Sequence, residues 1–138
     1  RWDLCCDFGR QGSGPGEFNV ASDVAARQPD EIAVADRWNQ RVMICSIFGK
    51  HKDTIPVRGV PYGIAATLDN NRFVVVCWDS TDVKVFNEDN TLAFQFPTVP
   101  PSEVGKTAVE LQSVAVKKDG TIIVGDVKRM MLTEHSPT

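Results

Sequence analysis

Residues 18–45, FNVASDVAARQPDEIAVADRWNQRVMIC, decide the fold that this chain is expected to adopt. Three short stretches, at 23–26, 31–35 and 42–45, are mostly apolar or alternate polar with apolar residues, and two segments rich in Pro, Asp, Asn and Gln separate them. Alternation over four to eight residues is typical of a half-buried β-strand, and Pro, Asp and Asn favour turns. The stretch therefore predicts three strands joined by two tight turns.

The same pattern occurs twice more along the chain, beginning near residues 62 and 113. In all three copies an aspartate ends the middle strand, at Asp36, Asp79 and Asp126, so the pattern recurs roughly every 45 residues. A repeat of about 40 to 50 residues with several strands per unit is typical of a β-propeller, in which each unit forms one blade. We therefore predict an all-β fold, a β-propeller with about three four-stranded antiparallel blades.

The predicted division treats residues 1–138 as one partial propeller. Its parts are an outer strand of a preceding blade at 1–9, blade one at about 18–58, blade two at about 60–96, a long loop at 97–110 and blade three at about 111–135. Four to eight blades close a ring, whereas three do not. Two interpretations stay open: the chain is part of a longer propeller, or two chains form a homodimer that closes a six-bladed ring, with the N-terminal strand of one copy completing blade three of the other.

A glycine-rich lead, FGRQGSGPGEFN at residues 8–19, precedes the first repeat, which continues with IAVAD at 32–36 and with Asn39 and Arg41. This combination resembles the NHL repeat, whose usual form is an FG-x-x-G-x-G-x-G-x-F lead, an IYVAD-like strand and an N-x-RVQVF strand. At the Asn-x-Arg positions the second copy has Thr-Asp-Val at 81–83, and the third has only Lys128 and Arg129. The resemblance therefore predicts blades of the NHL type, with the first repeat as the fullest copy.

The form of the glycine-rich lead is similar to that of the NHL domain at the C-terminal end of tripartite-motif proteins. In that family the propeller follows RING, B-box and coiled-coil segments and recruits a target, protein or RNA, for a ubiquitin ligase. None of those segments is in this chain, so the resemblance implies ligase activity only for a parent protein. For the chain itself it implies target recruitment.

Composition and motifs argue against several classes of function. A net charge of −3 with 24% charged residues is not typical of a strongly basic nucleic-acid-binding domain. The two histidines, His51 and His135, are far apart in the repeat scheme, and there is no G-x-S-x-G motif, so no enzyme activity, catalytic residue, metal or cofactor is predicted. No apolar run reaches the length of a membrane span. The four cysteines show no C-x-x-C spacing and are interpreted as buried thiols in a reducing compartment. Together these features predict a cytoplasmic protein.

The candidate binding residues follow from blade geometry. In a four-stranded antiparallel blade, the turn between the second and third strands lies on the same face as the crossing to the next blade. We call this side the recognition face; its predicted partner- or RNA-binding residues are Arg37, Trp38, Asn39, Arg41, Arg58, Tyr62, Lys128 and Arg129. Aromatic residues beside arginine are typical of interface hot spots and of stacking platforms for single-stranded RNA.

Several residues keep a structural interpretation beside the functional one. The aspartates Asp36, Asp79 and Asp126 are predicted to be structural turn residues that accept side-chain hydrogen bonds. The sequence is equally consistent with Trp38 as a binding residue and with Trp38 as a residue that fills the space between two blades. The loop at 97–110 fits a surface embellishment and a binding loop equally well. The turns of the opposite face, Arg27 among them, are predicted to be ordinary solvated residues.

The sequence supports three functions. The favoured one is a non-catalytic recognition platform that binds a protein target, since the charge of the recognition face is of mixed sign. The first alternative is single-stranded RNA binding on the same face, for which Arg37, Trp38 and the basic pair at 128–129 are suited. The second alternative is a structural role through pairing of two half rings.

Overall fold

A computed structural model describes residues 2–137, in which regular structure consists of short strands and two single 3-10 turns. The strands are β1 Arg10–Gln11, β2 Glu17–Phe18, β3 Ala21–Arg27, β4 Glu31–Asp36, β5 Arg41–Ser46, β6 His51–Pro56, β7 Pro61–Ala66, β8 Phe73–Cys77, β9 Asp82–Phe86, β10 Leu92–Pro97, β11 Leu111–Val116, β12 Ile122–Asp126 and β13 Met131–His135. The 3-10 turns are Arg37–Asn39 and Pro101–Glu103. The all-β prediction is confirmed.

The strands pair as successive antiparallel blades. Blade one has the order β3-β4-β5-β6, blade two β7-β8-β9-β10, and blade three β11-β12-β13, while β1 and β2 form a small parallel pair within the glycine-rich lead. The innermost strand of each blade carries a register shift near its first residue, between Ala21 and Asp23, Pro61 and Gly63, and Leu111 and Ser113. The repeat predicted from the sequence is therefore a repeat of backbone geometry, and the fold is part of a β-propeller.

The hydrophobic core lies between neighbouring blades. Strand β8 shows why, because it is buried along its whole length: Phe73, Val75 and Cys77 pack toward blade one, whereas Val74 and Val76 pack toward blade three. Successive residues of a strand point to opposite faces, so a strand covered on both faces has a continuous apolar sequence, as FVVVC does at 73–77.

The inner strands of blades two and three approach closely at Gly63 in β7. A Cβ atom at this position would lie 2.8 Å from the Gln112 carbonyl oxygen and 3.1 Å from the Ser113 Cα atom, both in β11. Backbone atoms cannot move aside as a flexible side chain can. Glycine is therefore required where β7 and β11 pack against each other.

Arg27 corrects the prediction that the turns of the opposite face are all solvated. Its side chain is fully buried and its guanidinium lies 4.2 Å from the centre of the Phe73 ring in blade two. The same group donates hydrogen bonds to Glu31 Oε1 (2.7 Å), Asn90 Oδ1 (2.9 Å) and the Asn87 carbonyl (3.3 Å). A planar guanidinium can stack on a ring and donate from its rim, which makes Arg27 a connector between blades one and two.

The segment before the glycine-rich lead was predicted to be the outer strand of a preceding blade. Residues 2–9 form no strand, and Trp2 and Leu4 are largely exposed. A strand needs a hydrogen-bonded neighbour, and no strand within residues 2–137 pairs with this segment. An outer strand at 1–9 remains a prediction, and residue 1 lies outside the described residues.

The cysteines fall into two groups, the buried pair Cys45 and Cys77 and the exposed pair Cys5 and Cys6. The buried pair is as expected, and burial raises the pKa of the Cys77 thiol to about 11. The expectation of burial is wrong for the exposed pair, because the segment that carries Cys5 and Cys6 does not pack as a strand.

Candidate recognition surface

The three aspartates that end the middle strands perform one shared task. Each carboxylate accepts a hydrogen bond from the backbone N–H of a residue that leads into the inner strand of its blade: Asn19 to Asp36 (2.7 Å), Val60 to Asp79 (2.9 Å) and Glu110 to Asp126 (3.1 Å). Asp126 also accepts the N–H of Arg129 in the following turn, at 3.2 Å. These side chains thus fix the lead into each blade.

Asn39 and Arg41 are committed to the glycine-rich lead. The Arg41 guanidinium donates to Asp36 Oδ2 (2.9 Å) and to the backbone carbonyls of Ser13, Gly14 and Glu17, at 2.9, 3.0 and 2.9 Å. Asn39 Nδ2 donates to Asp36 Oδ2 (2.8 Å) and to the carbonyl of Gly12 (2.9 Å). The Asn-x-Arg pair of the first repeat therefore holds the lead against the blade, and its donors point inward.

An aromatic cluster surrounds Arg37 where blades one and two meet on the recognition face. The Arg37 guanidinium carbon lies 3.9 Å from the centre of the Tyr62 ring and 6.0 Å from that of Trp38. Tyr62 in turn contacts Trp78, with ring centres 5.1 Å apart and planes tilted by 38°. We call Arg37, Trp38, Tyr62 and Trp78 the Arg37 cluster.

Trp38 is the most exposed aromatic ring of this cluster. It is 56% exposed, whereas Tyr62 and Trp78 are half-buried, so Trp38 does not plug a gap between blades. Sequence reasoning assigned Trp78 to packing alone and missed its place in the cluster. Trp78 directly follows Cys77, the last residue of β8, and Tyr62 directly follows Pro61 of β7. Because Cys77 and Pro61 are paired across the two strands, the pairing of β7 with β8 would have placed Trp78 near Tyr62.

Backbone hydrogen bonds fix the turn that carries Arg37 and Trp38. The N–H of Arg37 donates to the carbonyl of Val20 (3.0 Å), and that of Trp38 donates to the carbonyl of Asn19 (3.1 Å). Gln40 closes the turn in the left-handed conformation, with φ of 52°. The lead that Asp36 holds therefore also holds the turn, and the cluster is preorganised.

The other predicted binding residues are arranged differently. Arg129 pairs with Asp126, whose carboxylate is buried. Burial by itself would raise the pKa of Asp126, but the hydrogen bonds from Arg129 and from two backbone N–H groups outweigh it and hold that pKa below its usual value. Arg58 and Lys128 are exposed and make no side-chain hydrogen bond within residues 2–137.

The long loop at 97–110 lies against blade two on the recognition face. It begins with Thr98, which is buried and bonded to the Thr81 carbonyl at 2.9 Å, and it contains the 3-10 turn Pro101–Glu103. A cavity of about 310 Å³ separates its second half, residues 105–109, from the turn at 79–81. The loop therefore borders an open cavity on the face that carries the Arg37 cluster.

Residues 2–137 carry neither a metal-binding cluster nor a membrane-spanning helix. No group of three or more His, Cys, Asp and Glu side chains is arranged to hold a metal ion in that range. Over the same residues no helix has the length and apolar character needed to cross a membrane.

Comparison with known proteins identifies the fold. No family model matches the sequence, and no curated protein matches it. Among solved structures the chain is similar to the WD40 β-propeller domain of Doa1, with a TM-score of 0.65 and 18% identity over 83% of this chain. The match covers 36% of that domain's chain, and at this identity it shows the fold alone.

Proposed function

We propose that this chain is a non-catalytic recognition platform that binds a protein target through the Arg37 cluster. The observation that carries the proposal is an exposed tryptophan, Trp38, on a turn that backbone hydrogen bonds fix, next to Arg37, which lies over the Tyr62 ring. Interface hot spots are enriched in Trp, Tyr and Arg, and a preorganised side chain loses little conformational entropy when a partner docks.

The finer form of the proposal is an NHL-type propeller that recruits a target for a tripartite-motif ubiquitin ligase in the cytoplasm. What supports it is that the motif residues of the first repeat act together: Asp36, Asn39 and Arg41 converge on the glycine-rich lead. By contrast, Asp79 of blade two accepts only the Val60 N–H within residues 2–137, in keeping with its altered Asn-x-Arg positions.

Site-specific photo-cross-linking in cell extract tests this function. A benzoylphenylalanine at position 38 is expected to capture a protein, whereas the same group at Leu68 is not. Leu68 is a matched control because it is also exposed, at 74%, and lies in the turn between β7 and β8 on the opposite face. Equal capture from both positions, or capture from neither, contradicts the proposal.

Single-stranded RNA is the alternative ligand for the same face. The exposed ring of Trp38 and the exposed cations Arg58 and Lys128 support it. RNA binding would weaken steeply with salt, because cations released from phosphates accompany association. Adducts at position 38 that nuclease removes would favour this alternative over a protein target.

Assembly from two half rings is the second alternative. Blade three has three strands where the others have four, and a cleft of about 680 Å³ between β10 and β13 is lined by Phe94, Phe96, Ile122 and His135. A strand from a second copy could occupy that cleft. Light scattering behind a sizing column would then give twice the chain mass of 15.2 kDa, and a monomer would contradict this alternative.

A further inference from the structure

We infer that the Arg37 cluster recognises an acidic segment of a protein partner, with an Asp or Glu carboxylate against Arg37 and an apolar side chain against Trp38. The inference rests on the proposed function and adds the chemistry of the partner.

The side chains of the Arg37 cluster offer hydrogen-bond donors that have no partner. Within residues 2–137, the side-chain polar atoms of Arg37, Trp38, Tyr62 and Trp78 make no hydrogen bond to any other residue. Arginine and tryptophan side chains can only donate, and the tyrosine hydroxyl can donate as well. A partner that complements this cluster must therefore supply acceptors, and among unmodified protein side chains a carboxylate supplies the most per group.

The charge of the Arg37 cluster is positive. The Tyr62 ring already has a cation over it, the Arg37 guanidinium at 3.9 Å. A lysine or methylated lysine of a partner would need that same electron-rich ring face and would meet a like charge beside it. The cluster therefore selects against cationic groups and favours anionic ones.

Within residues 2–137 no acidic side chain pairs with Arg37. Asp36 is occupied by Asn19, Asn39 and Arg41, and Asp126 is occupied by Arg129 and two backbone N–H groups. The Arg37 guanidinium lies over the Tyr62 ring; its Nε is buried without a partner, whereas its two terminal nitrogens are not buried and form the rim that an incoming group can reach. A carboxylate can accept two parallel N–H bonds from such a rim.

The ring faces and cations that remain free in the Arg37 cluster suit a peptide better than RNA. Base stacking needs open ring faces, but Arg37 covers one face of Tyr62, and Trp78 packs beside the same ring.

Two of the predicted cations, Arg41 and Arg129, are bound internally and cannot neutralise phosphates. Trp38 is 56% exposed and Val20, whose carbonyl accepts the Arg37 N–H, is 46% exposed, so both offer apolar surface to a partner side chain.

Peptide arrays test the inference. Three libraries of nine-residue peptides would share random apolar and polar flanks and differ only in a central Glu, Gln or Lys. We expect the Glu library to bind about tenfold more tightly than the Gln library, since a charge-assisted bond is exchanged for a neutral one, and the Lys library to bind least. Arg37→Gln should abolish the preference for Glu, while Lys118→Gln, at an exposed cation in the turn between β11 and β12 on the opposite face, should retain it.

The outcomes separate the inference from the proposed function. Equal binding of Glu and Gln peptides, lost on Trp38→Ala, overturns the acidic preference and leaves the platform in place. Binding of none of the libraries, together with no protein capture from position 38, overturns both. Binding of oligouridine without peptide binding overturns both in favour of RNA. Circular dichroism of each variant checks that blade structure is retained, and Arg37→Lys, which keeps the charge without the planar rim, should show a weakened preference for Glu.

Discussion

Replacement of Asp36 by alanine should destabilise the propeller far more than the same change at Asp79. Asp36 is fully buried and accepts hydrogen bonds from Asn19, Asn39 and Arg41, with Arg41 also its ion-pair partner. Its removal leaves a charged guanidinium without its counterion, which costs about 3–5 kcal/mol at buried pairs. Asp79 is exposed and accepts one backbone N–H, a loss of about 1 kcal/mol.

Urea unfolding followed by tryptophan fluorescence measures the difference. With a slope of about 2 kcal/mol per M, the Asp36→Ala midpoint should fall by about 2 M and the Asp79→Ala midpoint by about 0.5 M. Asp36→Asn, which keeps the shape and one acceptor but removes the charge, should lie between the two. Equal midpoints for the two alanine variants would refute the view that Asp36 holds both the lead and the recognition turn.

Three further predictions concern other parts of the chain. Arg27→Met should lower the free energy of unfolding by about 3 kcal/mol, because Glu31 keeps only Lys52 as a partner and blade two loses three hydrogen bonds; an unchanged thermal midpoint would contradict the connector role. The pKa of Asp126 is lower in the folded state than in the unfolded state, where it is about 4. The stability that Asp126 contributes is therefore complete above pH 4 and is lost as the pH falls through the folded pKa. Below pH 4 the urea midpoint of Asp126→Asn should thus drop less than that of the unchanged protein. A thiol reagent at pH 8 should label the exposed pair of cysteines in the folded protein and the buried pair only in urea, since burial withholds both the sulfur and its thiolate; labelling of all four in the folded protein would contradict the packing.

The strands and their order could be predicted because they depend on local signals. Alternation at 31–35 and the polar turn at 37–40 report directly on burial and chain reversal. The prediction for Arg27 was wrong because its partners Asn87 and Asn90 are about 60 residues away in sequence, and nothing beside a Pro-Asp turn distinguishes a buried arginine from a solvated one.

The candidate site was predicted only in part for a related reason. Arg37, Trp38 and Tyr62 were expected on one face, and the structure brings them into contact. Asn39 and Arg41 were placed in the same set, but their donors turn inward to the glycine-rich lead. A polar side chain in a turn can serve a partner or its own backbone equally well, and the choice depends on tertiary geometry.

The two seams between blades differ in kind, and this difference bears on whether blades are interchangeable. Between blades one and two, directional bonds accompany the apolar core: Asp23 accepts the Ile64 N–H at 3.0 Å, and Arg27 reaches Asn90. Between blades two and three, the described residues meet through apolar packing and the close approach at Gly63, with no hydrogen bond across. Apolar packing tolerates substitution of one similar surface for another, whereas directional bonds reject a neighbour that lacks the matching donor or acceptor. The directional bonds between blades one and two therefore specify which blade can follow blade one. A shuffled or duplicated blade would be accepted more readily at the contact between blades two and three.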